Sequence, residues 1–500
     1  MLTDNAKHLL RQRYCQPGEQ PEQVYNRVAK SLSENNGDYQ EFKQVMEQGL
    51  FLPNSPCLMN AGTSTGHLKA CHVLPLYDSM ESIYKTIKDS AILSKAGAGI
   101  GFNFSNLREE NAPISSGGTS SGPISFMRVF NINTESVKQG GKRRGASIGI
   151  LNYDHPDILK FVTEKIGNKT INGQQIGELT NFNLSVGVTD EFMQLVEEDG
   201  IVYLRSPVDR RKITGKIKAR DLFGMLCMGA WKTGDPGLLF FDRINQDNPY
   251  KEKIDCVNPC GEVPLFPYES CCLGSINLSK CVSKDKSLDR MKLRGLVKIG
   301  TKMLYQINKF NEFPIPECTL AQAKYNRIGL GVMGFADMLI GVEVLYDSEE
   351  ALSIIDEIMG ELVLAKKVNP TSASVLSIAP TGSLSILADC SPSIEPIFSA
   401  NYSRTLSNDI GVIKESRASK YLREAHQVSP DWHLRIQSRF QKYTDSGVSK
   451  TINLPSDATS EDIKRIYIKA HKLGCKGITV FRDGSITGVM AKCEGGSCAL

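Results

Sequence analysis

The spacing of apolar residues along this 500-residue chain changes several times, and each spacing predicts a different element. Up to about residue 50, Val24, Val28 and Leu32 recur every fourth position among Lys, Gln and Glu, which predicts a helical entry region. KACHVLP is an apolar run closed by Pro75 and predicts a buried strand that contains Cys71. Residues 78–81 read as a helix start, with Asp78 and Glu81 spaced as a capping pair and Ile83, Ile87 and Ala91 continuing one face. Across residues 151–249, strand-like NFNLSVGV alternates with helix-like DLFGMLCMGAW, the pattern of repeated βα units. Residues 303–344 read as helix-rich, with the small residues of GLGVMGFADM suited to close packing. The apolar run 375–378 leads into APTGSL and a further helix. Near the end, Ile463, Ile466, Tyr467, Ala470 and Leu473 form a helical face stopped by Gly474; a short strand at 478–481 and an Asp-Gly turn at Asp483 follow.

The richest chemistry lies in CVNPCGEVPLFPYESCCLGSINLS, residues 256–279. Asn258, Cys260 and Glu262 fall at alternate positions, so in an extended segment they would share one face. An amide, a thiol and a carboxylate can together hold a polar group, exchange hydrogen at sulfur and move a second proton at oxygen. Pro259, Pro264 and Pro267 oppose a long helix or a central strand, which favours a loop presented from a scaffold. Cys271 and Cys272 follow, but the spacing is not that of paired CxxC motifs and histidines are absent nearby, so no protein-ligated metal is expected.

Composition narrows the class. Apolar residues at 41% and charged residues at 23% are ordinary for a globular protein, and a net charge of +4 gives no argument for a nucleic-acid partner. The basic run Arg210, Arg211, Lys212, Lys216, Lys218 and Arg220 reads as a solvated face. No membrane-spanning stretch or signal peptide is visible, so a cytoplasmic location is expected, where the fourteen cysteines stay thiols unless chemistry oxidises them. Most, such as Cys15, Cys227 and Cys318, read as packing residues. Gly97, Gly99 and Gly101 form neither GxGxxG nor a P-loop. Two glycine-rich loops, Arg108 with SSGGTSSG and then KQGGKRRGAS, combine flexible backbone with cationic side chains; they suit phosphates or are mobile surface loops. The turn in APTGSL is either a capped helix start or an anion site, and Cys493 and Cys498 in CEGGSCAL are a mobile dithiol or incidental.

NPCGE followed by PYESCCLGSINLSK resembles the finger loop in the catalytic chain of ribonucleotide reductases, in particular the adenosylcobalamin-dependent group called class II. Similar wording recurs in order through PNSPCLMNAG, KAGAGIGF, GKRRGASIGIL, NFNLSVGVTDEF, RIGLGVMGFADM, APTGSLSILADCSPSIEPIF and GCKGITVFRDGS, so the resemblance covers nearly the whole chain. It implies an α/β fold: a ten-stranded α/β barrel of two five-stranded parallel halves around a central finger loop, plus the helical N-terminal region. The expected division is residues 1–50 helical, 51–485 barrel and 486–500 a flexible redox-active tail. Many relatives carry an ATP-binding regulatory domain ahead of this point. Here catalytic-type sequence starts almost at Met1, so that overall switch is expected to be missing.

By the same resemblance, the reaction is thiyl-radical reduction of ribonucleotides, with diphosphates expected, to 2′-deoxyribonucleotides. Cys260 is implied to carry the radical, Glu262 to take a proton from the ribose 3′-hydroxyl, and Asn258 to position the sugar. Cys71 and Cys271 are implied to reduce the ribose, with Cys271 at the cysteine position of the family pattern and Cys272 where relatives often have asparagine. Cys493 and Cys498 would reduce the resulting disulfide, restored in turn by thioredoxin or glutaredoxin. Ser55, Ala70, Gly99, Pro380, Thr381, Gly382, Ser383 and Leu384 are implied to hold substrate. Asp78, Ser79, Arg108, Lys142 and Arg143 are implied to hold a deoxynucleotide or ATP effector at a specificity site on a homodimer interface. Val480 and Phe481 match the radical-carrying tyrosine pair of class I relatives and cannot form phenoxyl radicals, so adenosylcobalamin is the expected radical source. The terminus resembles a class I tail, which keeps open a class I-type chain served by a separate metal-containing subunit. An inactive nucleotide-binding regulatory paralogue would require loss of a working residue, and none of the five core residues is lost.

Overall fold

The computed structural model describes residues 2–137, 145–166, 169–171, 174–176, 179–368, 372, 374–405 and 412–485. The chain forms two compact units. The first is built from the residues up to Ala70 and from Ser270 to Lys450, the second from Cys71 to Glu269 and from Thr451 to the last described residue.

In the first unit, the entry region consists of helices Asp4–Leu9, Pro21–Leu32 and Asn36–Glu47, with a π-helical turn at Leu10–Tyr14. Pro21 begins the second helix, where its missing N–H leaves no bond unmade, and the Gln20 N–H donates to Gln23 Oε1 at 2.8 Å. Val24, Val28 and Leu32 are buried on one face, as their spacing predicts, in a core shared with Leu9, Tyr14, Tyr25 and Phe42. Strand Phe51–Pro53 pairs antiparallel with Leu273–Asn277, which runs parallel to Gly329–Met333. Single parallel bridges extend this pattern from Leu330 to Leu376 and from Ile378 to Val448.

The Gly329–Met333 strand lies inside the stretch read as helix-rich, between helix Pro316–Tyr325 and helix Phe335–Gly341. Every residue of it is buried, so it lacks the polar alternation that would mark a strand. Its small residues do serve close packing, but against backbone: a side chain at Gly331 would overlap the Ser377 carbonyl.

In the second unit, strands Cys71–Leu74, Gly99–Asn103, Ser147–Asn152, Phe182–Val188 and Gly237–Phe240 run parallel in that order. Gly477–Arg482 joins antiparallel to the last of them, and Thr451–Leu454 lies parallel beyond it. Parallel neighbours need crossovers. Helices Met80–Lys95, Gly122–Ser136 and Ala219–Thr233 belong to them, and the last, between Phe182–Val188 and Gly237–Phe240, falls within the βα alternation predicted across residues 151–249. An antiparallel hairpin, Ile201–Arg205 with Ile213–Lys218, interrupts that alternation. The basic run lies on and around it, where Arg210 pairs with Asp154, Arg211 with Asp209 and Lys218 with Asp199.

Helix Ser460–Lys472 buries Ile463, Ile466, Tyr467 and Ala470, and the Tyr467 hydroxyl donates to the Pro236 carbonyl at 3.0 Å. Leu473 falls beyond the helix and Gly474 follows with φ +75°. Phe130 packs edge-on against Phe102 and Phe104, with ring centroids 4.8 and 5.3 Å away. The helix start at residues 78–81 differs from expectation. Ser79, not Asp78, is the cap, its Oγ accepting from the Ser82 N–H at 3.1 Å. Among the described residues no helix is long and apolar enough to cross a membrane.

Candidate active site

Cys256–Val257 and Pro264–Leu265 pair antiparallel, so Cys260 lies in the loop of a short hairpin within the second unit. Asn258, Pro259 and Gly261 take the first, second and fourth places of a β-turn, positions these residue types favour. The Gly261 N–H closes it by donating to the Asn258 carbonyl at 2.9 Å. The Val263 N–H donates to Asn258 Oδ1 at 2.9 Å, and the Asn258 N–H to the Val263 carbonyl at 3.1 Å. The extended run in which Asn258, Cys260 and Glu262 would share one face is therefore not formed. The turn separates them by exposure instead: Cys260 is exposed at the tip, whereas Asn258 and Glu262 are 0% and 2% exposed.

The sheet fixes this hairpin at its base and its tip. Asn103 Nδ2 donates to the Asp255 carbonyl at 2.6 Å, and Asn183 Nδ2 donates to the Pro259 carbonyl at 3.0 Å. A side chain at Gly101 would overlap the Val257 carbonyl, so the strand can approach the hairpin this closely only as glycine. Gly101 is not among the predicted site residues, although Gly99 of the same strand is. Burial raises the Glu262 carboxyl from the ordinary 4.5 to about 7, and the Asn258 side chain pulls it part of the way back. A carboxyl near neutrality can both accept a proton and return it.

In the first unit, Cys271 and Cys272 are both 1% exposed. The Ala70 N–H donates to the Cys271 carbonyl at 3.4 Å, so the residue preceding Cys71 is held on the backbone of Cys271. Cys71 itself opens its strand in the second unit and is half-buried. Cys272 donates to the Leu304 carbonyl at 3.4 Å, and burial pushes its thiol up to about 12, leaving it protonated and poorly nucleophilic.

Ser55 begins helix Ser55–Asn60, capped by Asn54 Oδ1 accepting from the Cys57 N–H at 3.1 Å. In the turn at residues 380–384, Thr381 adopts the left-handed conformation at φ +55° and its Oγ1 accepts from the Ser393 N–H at 2.7 Å. Gly382 and Ser383 then open helix Gly382–Leu387, in which Leu384 is buried. Two residues that sequence reasoning missed reach these positions. The Arg13 guanidinium donates to Ser383 Oγ at 2.9 Å, and the Tyr14 and Ser55 hydroxyls share a 2.9 Å hydrogen bond. Nothing in RQRYC signals contact with a serine 370 positions away.

Among the predicted effector residues, the Arg108 Nε donates to Asp78 Oδ2 at 2.7 Å and its backbone N–H to Oδ1 at 3.1 Å, while Ser79 caps the adjacent helix. Lys142, Arg143, Cys493 and Cys498 lie outside the described residues. A separate cavity of about 440 Å³ in the second unit, lined by residues including Asp154, Arg205, Arg210 and Asp255, holds none of the predicted site residues. Among the described residues no His, Cys, Asp and Glu side chains cluster as a metal site requires.

The chain matches the family model of the ribonucleotide reductase barrel domain over residues 69–369 and 407–481, and that of the all-alpha domain over residues 1–66. It is 43% identical to a vitamin B12-dependent ribonucleoside-diphosphate reductase of Thermoplasma acidophilum, over 89% of this chain and 65% of that protein. A protein of the same name from Mycobacterium tuberculosis is 35% identical, over 96% of this chain and 78% of its own length. The ribonucleoside-diphosphate reductase subunit alpha of Chlamydia pneumoniae is 26% identical, over 93% and 57%. The chain thus spans less than two thirds of the Thermoplasma relative. With a mixed α/β architecture, an all-alpha entry domain and the barrel domain matched over most of its length, the chain belongs to the ribonucleotide reductase large-chain family.

Proposed function

We propose that this chain is the catalytic chain of an adenosylcobalamin-dependent reductase that converts ribonucleoside diphosphates to 2′-deoxyribonucleotides for DNA precursor synthesis. The hairpin carries the proposal: an exposed thiol at its tip beside a buried amide and a buried carboxyl held at about 7. The Thermoplasma and Mycobacterium relatives are named as vitamin B12-dependent reductases, which supports the same choice of cofactor.

The residues fit such a group. A Cβ added at Gly261 would meet no atom within 4 Å, so the tip borders open space, and Val480 and Phe481 offer no phenol to relay a radical. Cys260 and Gly261 are the residues the cofactor would meet. Bound adenosylcobalamin supplies the radical that converts the Cys260 thiol to a thiyl.

The Cys260 sulfur takes the ribose 3′ hydrogen, Glu262 accepts the 3′-hydroxyl proton and Asn258 positions the sugar. Cys71 and Cys271 supply two electrons and the protons with which the 2′-hydroxyl leaves as water, and their sulfurs join as a disulfide. Cys260 then returns hydrogen to C3′, and Glu262 returns the proton to the 3′ oxygen. One ribonucleotide and two thiols thus give one deoxyribonucleotide, one water and one disulfide. Cys493 and Cys498 reduce that disulfide by exchange, and thioredoxin or glutaredoxin restores them. Ser55, Ala70, Gly99 and the turn at residues 380–384 hold the substrate.

The ten-stranded barrel over residues 51–485, between the entry helices and the tail at 486–500, belongs to the same proposal and is supported by the parallel strands within each unit. So do a homodimer and an effector site at Asp78 and Arg108. Tyr77, Met80, Tyr84 and Ile132, on or beside helices Met80–Lys95 and Gly122–Ser136, are 53–63% exposed, an apolar surface suited to a second copy. The direct test of the hairpin is Cys260→Ala. Deoxynucleotide formation should vanish while nucleotide binding persists; turnover that survives the substitution defeats the mechanism.

A further inference from the structure

Arg13 lies on the π-helical turn Leu10–Tyr14, is 8% exposed, and donates to the Ser383 hydroxyl at 2.9 Å. Its neighbour Tyr14 is 1% exposed and shares a 2.9 Å hydrogen bond with the Ser55 hydroxyl. Single π turns re-aim side chains relative to a regular helix and recur at functional sites. Here two consecutive side chains of one such turn engage two serines that belong to distant segments of the same unit.

The chemistry of the Arg13 bond is directional. A guanidinium remains protonated at any working pH and can only donate, so the Ser383 oxygen is the acceptor and its own hydrogen is left for another acceptor. Ser393 adds to the same turn. It is 1% exposed, its N–H is committed to Thr381 Oγ1 at 2.7 Å, and its hydroxyl has no partner among the described residues. A fixed buried cation, a hydroxyl turned into a donor and a second hydroxyl seeking a partner are what an anionic group would use.

We propose that Arg13 is a positioning residue for the phosphates of the substrate. It orients the Ser383 hydroxyl toward a phosphate oxygen, and its charge favours a nucleoside diphosphate over a monophosphate. Tyr14 restrains the Ser55 hydroxyl through the hydrogen bond they share. This inference rests on the proposal that the turn at residues 380–384 holds the substrate, and takes the anion-site reading of that turn.

The test compares wild type with Arg13→Met, Arg13→Lys and Tyr14→Phe. Two readouts are taken: anaerobic reduction of cytidine diphosphate with adenosylcobalamin and dithiothreitol, and equilibrium binding of cytidine diphosphate, cytidine monophosphate and inorganic pyrophosphate, which needs no turnover. Arg13→Met should raise KM and the diphosphate dissociation constant about 10- to 100-fold, more than it lowers kcat, and should compress the preference for diphosphate over monophosphate. Pyrophosphate binding should weaken in parallel, and Arg13→Lys should recover part of it. Tyr14→Phe should raise KM by about 2- to 10-fold.

Unchanged diphosphate and pyrophosphate binding in Arg13→Met would overturn the inference. So would a fall in kcat and Tm at constant KM, since that is the mark of a structural arginine. If wild type binds pyrophosphate through Arg13 yet forms no deoxynucleotide, the positioning role stands and the reductase reading falls.

Discussion

Glu262→Gln keeps the shape of a buried side chain and removes its charge. Burial holds the carboxyl at about 7, against an ordinary 4.5. Between those values the folded chain carries a proton that the unfolded chain has released, so stability falls as pH rises through this window and levels off above it. At about 1.36 kcal/mol per pH unit, the gap between 4.5 and 7 amounts to about 3 kcal/mol. Glutamine has no proton to lose. The variant should therefore be more stable than wild type by up to about 3 kcal/mol near pH 8, with the advantage fading toward about pH 4. Urea unfolding across that range measures it.

The same variant should lose deoxynucleotide formation by about 100-fold or more, because an amide cannot accept the 3′-hydroxyl proton. In wild type, turnover should rise with pH and reach half its maximum near 7 as the carboxylate forms. A stability difference that does not grow between acid and neutral pH would refute the buried-carboxyl reasoning. Full turnover in the variant would refute its role as the base.

The remaining predictions concern the supports of the site. Gly101→Ala should drive the hairpin back by about 1 Å from its overlap with Val257, lowering kcat about 100-fold. Gly295→Ala, where an added Cβ meets nothing within 4 Å, should be silent in the same assay. Brief alkylation of the native chain followed by peptide mass spectrometry should find Cys260 modified and Cys272 untouched, since the latter is buried and pushed up to about 12. Cys272→Ala should keep turnover within about three-fold and lower stability by about 1 kcal/mol, read by urea unfolding.

Elements with a strong period were legible in the sequence. The face Val24, Val28, Leu32 and the face Ile463, Ile466, Tyr467, Ala470 are both buried on helices. The finger segment was legible as a loop through its prolines, but not as a hairpin. Alternation suggested one shared face for Asn258, Cys260 and Glu262, whereas Asn at the first, Pro at the second and Gly at the fourth place of a turn override it. The strand Gly329–Met333 was illegible because complete burial erases the polar alternation on which strand recognition depends. Gly101 and Arg13 could not be found from local pattern at all. One is defined by a carbonyl of a segment far along the chain and the other by Ser383, and both contacts exist only after the chain has folded.

The measurement that bears most directly on the account is deoxynucleotide formation by the purified chain alone, under anaerobic conditions with dithiothreitol, with and without adenosylcobalamin. Turnover should require the cofactor and no second protein. A folded chain that binds nucleotide yet forms no deoxynucleotide in either case would contradict it and point to a separate radical-generating partner.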